Sequence, residues 1–221
     1  MKLSVFLQRR DDLDRDEFRA WWLRHVQIAR HIPGLRGYRI NFVDDVRPFG
    51  IEATRVAYDG TAELWFQSDQ SLASGFESDH AQRAVADADS ACQRRVEFET
   101  DEHVVLEGPG QPKGLAKVVV LLRRRTDLTH ADFRDWWLEH VKVSQRIPGL
   151  RGYRINLVNG IRGSGYRSED VEFDGSAELW FDDVDAIDRG FGSELGRRAV
   201  RDAELHCASR VRYVTQEHVV V

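Results

Sequence analysis

The chain is written twice. Sliding it against itself sets KLSVFLQRRDDLDRDEFRAWWLRHV, from Lys2, on KVVVLLRRRTDLTHADFRDWWLEHV, from Lys117. The displacement of 115 residues holds without a gap to the end: Asp59-Gly60 meets Asp174-Gly175, Cys92 meets Cys207 and His103 meets His218. About half of the aligned positions are identical, the mark of a tandem-duplicated domain rather than of a short-period solenoid. Between the copies, Glu107 to Ala116 is rich in Gly and Pro and has no hydrophobic period, so it reads as a linker. The expected domains are residues 1–106 and 117–221, joined by 107–116.

Within one copy, Lys2 to Arg9 carries apolar residues on both parities, as a central strand covered on both faces does. Asp14 with Glu17, and Thr129 with Asp132, have capping-box spacing and predict a helix start. Phe18, Trp21, Trp22, His25, Ala29 and Ile32 then form one helical stripe, repeated by Phe133, Trp136, Trp137, His140, Ser144 and Ile147. Pro33-Gly34 ends the run. Leu35 to Val43 reads as a strand, and a divergent loop to about Tyr58 leads to a strand at TAELWFQ. Asp69 to about Cys92 reads as a second helix, broken at Gly75, and Arg95 to Leu106 as a last strand. The order βαββαβ is the ferredoxin-like split unit. The fold class expected is α+β: two tandem ferredoxin-like domains whose antiparallel sheets pack as an intramolecular dimeric α/β barrel, because each bare sheet face needs cover and the second copy is tethered beside it.

The 32 basic residues against 37 acidic ones give a net charge of −5. That argues against nucleic acid or an anionic membrane as partner, since both select a basic footprint. No apolar run reaches the length of a membrane span, and Leu3 to Leu7 is too short for a signal-peptide core, so a cytoplasmic location is expected. Only Lys2, Lys113, Lys117 and Lys142 are lysines. Cys92 and Cys207 have neither a disulfide framework nor metal-ligand spacing and read as buried thiols. No metal motif and no Gly-rich nucleotide loop is present, so no cofactor is expected.

Phe18-Arg19-x-Trp21-Trp22 with His25, Ile32-Pro33-Gly34-Leu35-Arg36-Gly37-Tyr38-Arg39-Ile40-Asn41, and Asp59-Gly60-x-Ala62-Glu63-Leu64-Trp65-Phe66 come in this order after the Lys2 strand. This ordered set resembles the EthD family of the dimeric α/β-barrel superfamily, over nearly all of both copies. The resemblance implies the barrel fold, with both halves on one chain, and a pocket between helices and sheet. It also implies a range of chemistries: polyketide cyclases, muconolactone-type isomerases, cofactor-free oxygenases, decarboxylases or dehydratases on small aromatic or lactone-like molecules, and haem binding in other branches. Fold does not choose among them.

His25 and His140 are the foremost candidates, each on the apolar stripe one turn after Trp21 or Trp136. An imidazole there can serve as general acid or base, or simply complete the core. Tyr38 and Tyr153 share the apolar parity of their strand with Ile40 and Ile155, where a phenol can donate to a developing oxyanion or be packed with its hydroxyl satisfied. Trp22, Trp137, Trp65 and Trp180 offer flat walls for an aromatic ligand or ordinary core. Glu63 and Glu178 sit mid-strand among apolar residues, where a carboxylate either pairs with Arg39 or a neighbouring Arg, or works as acid or base. Asn41 and Asn156, on the opposite parity with Arg39 and Arg154, rank lower. His103 and His218 read as interface or solvated residues, and the unmatched His31, His80, His130 and His206 as surface ones.

Two functional readings follow. In one, the chain is a cofactor-independent enzyme, a cyclase, dehydratase, isomerase, decarboxylase or oxygenase, on a small aromatic, polyketide-like or lactone substrate, with His25 and His140 moving the proton and Tyr38 and Tyr153 holding the oxygen. In the other, it is a non-catalytic small-molecule-binding accessory protein; haem binding through His25 or His140 is a third, less favoured reading. The expected partner is a small molecule, and the internal pseudo-dimer is compatible with a monomeric chain in solution. Asp44 to Tyr58 and Asn159 to Phe173, with Pro48 and Phe49 in one and Gly163 and Gly165 in the other, read as lid loops that let the two pockets differ.

Overall fold

The first helix of each copy begins where the sequence supplies a capping box. Asp14 starts α1 (Arg15–Ala29), its carboxylate accepting from the Glu17 amide while Glu17 reaches back to the Asp14 amide. Preceding it is β1 (Lys2–Arg9), and after it Gly34, at φ +81°, turns the chain into β2 (Leu35–Phe49) through a conformation that favours glycine. Then follow β3 (Gly60–Phe66), α2 (Asp69–Phe76), α3 (Asp79–Asp89) and β4 (Cys92–Leu106). The second copy repeats the order as β5 (Ala116–Arg124), α4 (His130–Ser144), β6 (Leu150–Arg162), β7 (Gly175–Phe181), α5 (Val184–Gly192), α6 (Glu194–Glu204) and β8 (Cys207–Val219). This computed structural model describes residues 1–49, 58–108, 114–162 and 173–221.

The eight strands close into one antiparallel barrel in the order β1-β3-β2-β8-β5-β7-β6-β4. Each copy contributes four neighbouring strands, and the two sheets face each other as expected. They also pair edge to edge: β2 with β8, from Arg39 opposite Val219 to Phe49 opposite Arg210, and β4 with β6, from Glu97 opposite Arg162 to Leu106 opposite Tyr153. Among the described residues, closure leaves no free sheet edge. It also corrects the loop reading, because Asp44 to Phe49 and Asn159 to Arg162 are strand, drawn out by pairing with the other copy's last strand. The rest of those loops, residues 50–57 and 163–172 with Gly163 and Gly165, lies outside the described residues, as do linker residues 109–113. The second helix region is two helices, α2 and α3. The break falls after Phe76, where Ser78 caps α3, rather than at Gly75.

Strand alternation sorts the side chains. Leu3, Val5 and Leu7 point outward under the helices and join a core with Phe18, Trp22, Ile40 and Leu64. Its counterpart under α4 and α6 is built from Val118, Leu122, Phe133, Trp137, Ile155 and Leu179. Inside the barrel, Phe6, Tyr58, Phe98, Leu121, Phe173 and Tyr213 fill one portion with apolar side chains. No described helix is long and apolar enough to cross a membrane.

Candidate functional site

A cavity lies between helices and sheet in each copy because the helix facing the sheet carries short side chains there. In α3 the facing residues are Ala81, Ala84 and Ala88, and in α6 they are Gly196, Ala199 and Ala203, all buried. The first cavity, about 70 Å³, is lined by Trp22, His25, Tyr38, Leu64, Ala84 and Arg95 among others. The second, also about 70 Å³, is lined by Trp137, His140, Ser144, Tyr153, Ala199 and Arg210 among others. Each is about half of the ~150 Å³ that accommodates benzene in an apolar protein cavity, so an aromatic ligand enters only with an outward shift of the helices. A haem macrocycle does not fit either.

Helix α1 carries His25 onto the cavity one turn after Trp21, and the two rings stack with centroids 4.9 Å apart. His25 Nδ1 lies 2.8 Å from Asp87 Oδ2, and the Trp21 indole N–H donates to the same oxygen at 3.1 Å. The second copy reproduces the arrangement, with His140 Nδ1 2.6 Å from Asp202 Oδ2 and Trp136 donating to that oxygen at 3.0 Å. Burial lowers both imidazoles below the ordinary histidine value, outweighing the opposing pull of Asp87 and of Asp202. A neutral imidazole facing a carboxylate through Nδ1 must place its proton there, which leaves the Nε2 lone pair as the acceptor. The arrangement is that of an oriented general base.

The sequence singled out the histidines but missed Asp87 and Asp202. Their signal was present: an Asp at matched positions beside the small-residue face of the helix. Tyr38 and Tyr153 do face the cavities, on the parity expected. Burial pushes the Tyr38 hydroxyl well above its ordinary value against a hydrogen bond with Trp22, and raises Tyr153 to about 12 against bonds with Ser144 and Trp137. Trp22 and Trp137 are fully buried beside them. Gly60 explains the place of Trp22: a Cβ there would sit 2.3 Å from the indole ring and 2.6 Å from the Asn41 carbonyl. His206 is not a surface residue as expected; it is half-buried and stacks on Trp136 at 4.6 Å.

The remaining candidates lie on the other side of the sheet. Glu63, Glu178, Trp65 and Trp180 share the inward parity of their strands and point into the barrel, away from the histidines. Glu63 does not pair with Arg39; Lys117 of the second copy contacts it at 2.6 Å and Lys2 at 3.4 Å. Glu178 contacts Lys2 at 2.5 Å and Lys117 at 3.1 Å, closing a quartet in which each lysine bridges both copies. Arg39 turns instead to Glu217, and Asn41 donates to Thr61 and Glu63. Burial opposes the charge on the lysines, but Glu178 and Glu63 together raise Lys2 and Lys117 above the ordinary value. The carboxyls share these ammonium groups and titrate as a pair: burial would raise Glu178, but Lys117 and Lys2 hold it well below the usual range, whereas burial and the charge of Glu178 raise Glu63.

The sequence model of the EthD domain matches the chain twice, over residues 10–91 and 125–206. The chain belongs to the EthD family. Each EthD match spans α1 to α3 or α4 to α6 with the strands between, so it contains one complete His–Asp pair. No curated protein matches the sequence. Among solved structures, an anthrone oxidase-like protein superposes with a TM-score of 0.68 at 10% identity, over 99% of this chain and 92% of that one. A provisionally named monooxygenase from Fusobacterium nucleatum superposes with a TM-score of 0.65 at 9% identity, covering 99% and 93%. Another, from Lactobacillus acidophilus NCFM, gives 0.59 at 9%, covering 99% and 94%. At these identities the likeness establishes that the tandem EthD chain has the fold of these barrels.

Proposed function

We propose that the helix–sheet cavities are proton-transfer sites for a small, largely apolar carbonyl compound, organised by the Asp87–His25 and Asp202–His140 pairs. The observation that carries this reading is the carboxylate on Nδ1 of a buried histidine whose ring lines a largely apolar cavity, made twice. His25 Nε2 takes a proton from the carbon next to the carbonyl, the C–H electron pair moves onto the oxygen, and Tyr38 donates to the enolate as it forms. The names of the structural neighbours, an anthrone oxidase-like protein and two monooxygenases, agree with chemistry that starts from such a carbanion. The quartet inside the barrel takes a structural role in this reading, and residues 1–106 and 117–221 are two domains, each with its own pocket.

Deuterium uptake by 2-indanone in D₂O, followed by proton NMR, tests the proton-transfer step without requiring the natural substrate. The protein is expected to accelerate the exchange, and His25→Gln/His140→Gln to lose at least ~10²-fold of that acceleration. Equal exchange by a folded double variant would overturn the reading, and binding of the ketone without exchange would favour an accessory role.

A further inference from the structure

The two cavities are built on one plan and carry different charges. On the first, Arg95 is followed on the same face of β4 by Glu97, and both line the cavity. On the second, Arg210 lines the cavity and the position of Glu97 is taken by Arg212. Both second-copy arginines are nearly inaccessible, Arg210 at 6% and Arg212 at 4% exposure. The Arg212 guanidinium lies 4.8 Å from the centroid of Phe191, itself a lining residue. Each arginine is contacted from the surface by one carboxylate, Glu204 accepting from Arg210 at 3.4 Å and Asp188 lying 3.7 Å from Arg212, and Arg210 also donates to the Val200 carbonyl at 3.2 Å. Arg95 instead holds Asp89 at 2.6 Å. A further exchange makes the second pocket more polar: Ser144 stands where the first copy has Ala29, its hydroxyl 3.2 Å from that of Tyr153. Outside the lining, His206, stacked on Trp136, stands where the first copy has Ala91. Arg210 and His206 both add to the lowering that burial imposes on His140, whereas in the first pocket Arg95 alone does so for His25.

We infer that the second pocket takes a carboxylate ligand, its anionic end toward Arg210 and Arg212 and its short apolar tail in the cavity beside Tyr153, whereas the first pocket takes an uncharged one. A buried pair of guanidinium groups answers a carboxylate with directed donors and charge, and Glu97 repels the same group from the first pocket. The inference rests on the cavities being ligand sites, and it makes the duplicated chain a protein with two different substrates or with one substrate and one effector.

Sodium isovalerate, whose branched tail suits a cavity of this size, is the probe. In protein labelled with ¹³C at histidine Cε1, with His25 and His140 assigned from the single His→Gln variants, isovalerate is expected to shift His140 saturably and leave His25 in place. Calorimetry is expected to give one site per chain. Arg212→Glu, which installs the charge of the first copy, is expected to weaken binding by about tenfold or more, and Glu97→Arg to create a second site reported by His25. Saturable shifts at His25 in the unmodified protein, no saturable binding, or unchanged binding in both variants would overturn the inference. If Arg212→Glu does not fold, the gain of a site in Glu97→Arg decides. Isovalerate binding needs no turnover, so a failure here is distinct from a failure of 2-indanone exchange.

Discussion

Replacing Lys117 by Met tests the electrostatic account of the barrel interior. Lys117 Nζ contacts Glu63 at 2.6 Å, Glu217 at 2.9 Å and Glu178 at 3.1 Å, and its side chain is 1% exposed. Met keeps most of the side-chain length and removes the charge, which sits 4.7 Å from the centroid of the Trp180 ring. Lys2, which already holds Glu102 at 2.9 Å, must then serve both Glu63 and Glu178. Leaving a buried charge without its partner costs about 3–5 kcal/mol, which lowers Tm by about 6–20 °C in a chain of this size. The pH dependence gives a sharper test. In the unmodified protein, the depressed carboxyl of Glu178 contributes stability above its unfolded value of about 4.3 that is lost as pH falls through the lower folded value. The raised Lys2 contributes stability below its unfolded value of about 10.4 that is lost as pH rises through the folded value. From these two groups stability is flat between about pH 6 and 9, while the raised Glu63 adds stability as pH falls through its folded value. In Lys117→Met, Glu63, Glu178 and Glu102 share the one remaining ammonium, the folded values of the two buried carboxyls rise, and the folded state takes up a proton. Stability of the variant should then increase as pH falls from 8 to 5 more steeply than that of the unmodified protein. Urea unfolding followed by tryptophan fluorescence across that range measures both effects. A loss under about 1 kcal/mol with no pH slope would refute the account, and adding Glu63→Gln to Lys117→Met should recover part of the loss.

Asp87→Asn should leave the fold intact, lower the His25 titration further by removing the carboxylate that opposes burial, and reduce 2-indanone exchange at the first pocket by ~10–100-fold, as losses of such supporting contacts do; NMR titration of His25 in a His140→Gln background reads both. Because His25 and His140 titrate below their unfolded value of about 6.5, their neutral folded form is favoured at higher pH, and stability should decline as pH falls from about 6.5 through the folded values. Ala84→Leu should fill the first cavity, cost no more than the ~1–3 kcal/mol of overpacking, and abolish ligand effects on His25 while leaving those on His140. Gly60→Ala should destabilise by roughly 1–3 kcal/mol, since its methyl group meets the Trp22 ring and the Asn41 carbonyl at distances neither can relieve without movement; denaturant midpoints would show it.

The repeat and the 3.6-residue stripe made the fold legible, because strand parity and cap spacing are local properties. Asp14, Thr129 and the stripe from Phe18 to Ile32 needed no tertiary information. The strands from Asp44 to Phe49 and from Asn159 to Arg162 did, because their partners are β8 and β4 of the other copy. Tyr38 could be placed beside His25 by parity alone, whereas Asp87 is 62 residues from His25 in sequence and reaches it only when α3 packs on α1. The partners of Glu63 were misread for the same reason: an arginine directly opposite on the neighbouring strand of the same copy looked nearer than a lysine 54 residues on in the next. A sequence signal existed. Two of only four lysines occupy matched positions, Lys2 and Lys117, at the heads of apolar strands, where a charge must find a buried partner.

The duplication separates what holds the protein together from what it does. Every described residue lining the first cavity lies between Val5 and Glu97, and every described residue lining the second between Val120 and Arg210. The barrel, by contrast, cannot close without β2·β8 and β4·β6, and each buried lysine reaches the glutamates of both copies. Stability is thus shared between the copies and each pocket is private to one. A substitution in the quartet should weaken both pockets together, whereas one on a cavity wall should act on one pocket alone. In a dimer of identical chains every wall substitution appears twice, so the pockets cannot diverge. On a single chain they can, and the exchanges of Glu97 for Arg212 and of Ala29 for Ser144 lie at the pockets while the four quartet residues are unchanged between copies. Charge and polarity exchanges at the private walls, over a quartet that repeats Lys and Glu at the same positions, accord with the inference of two ligands on one framework.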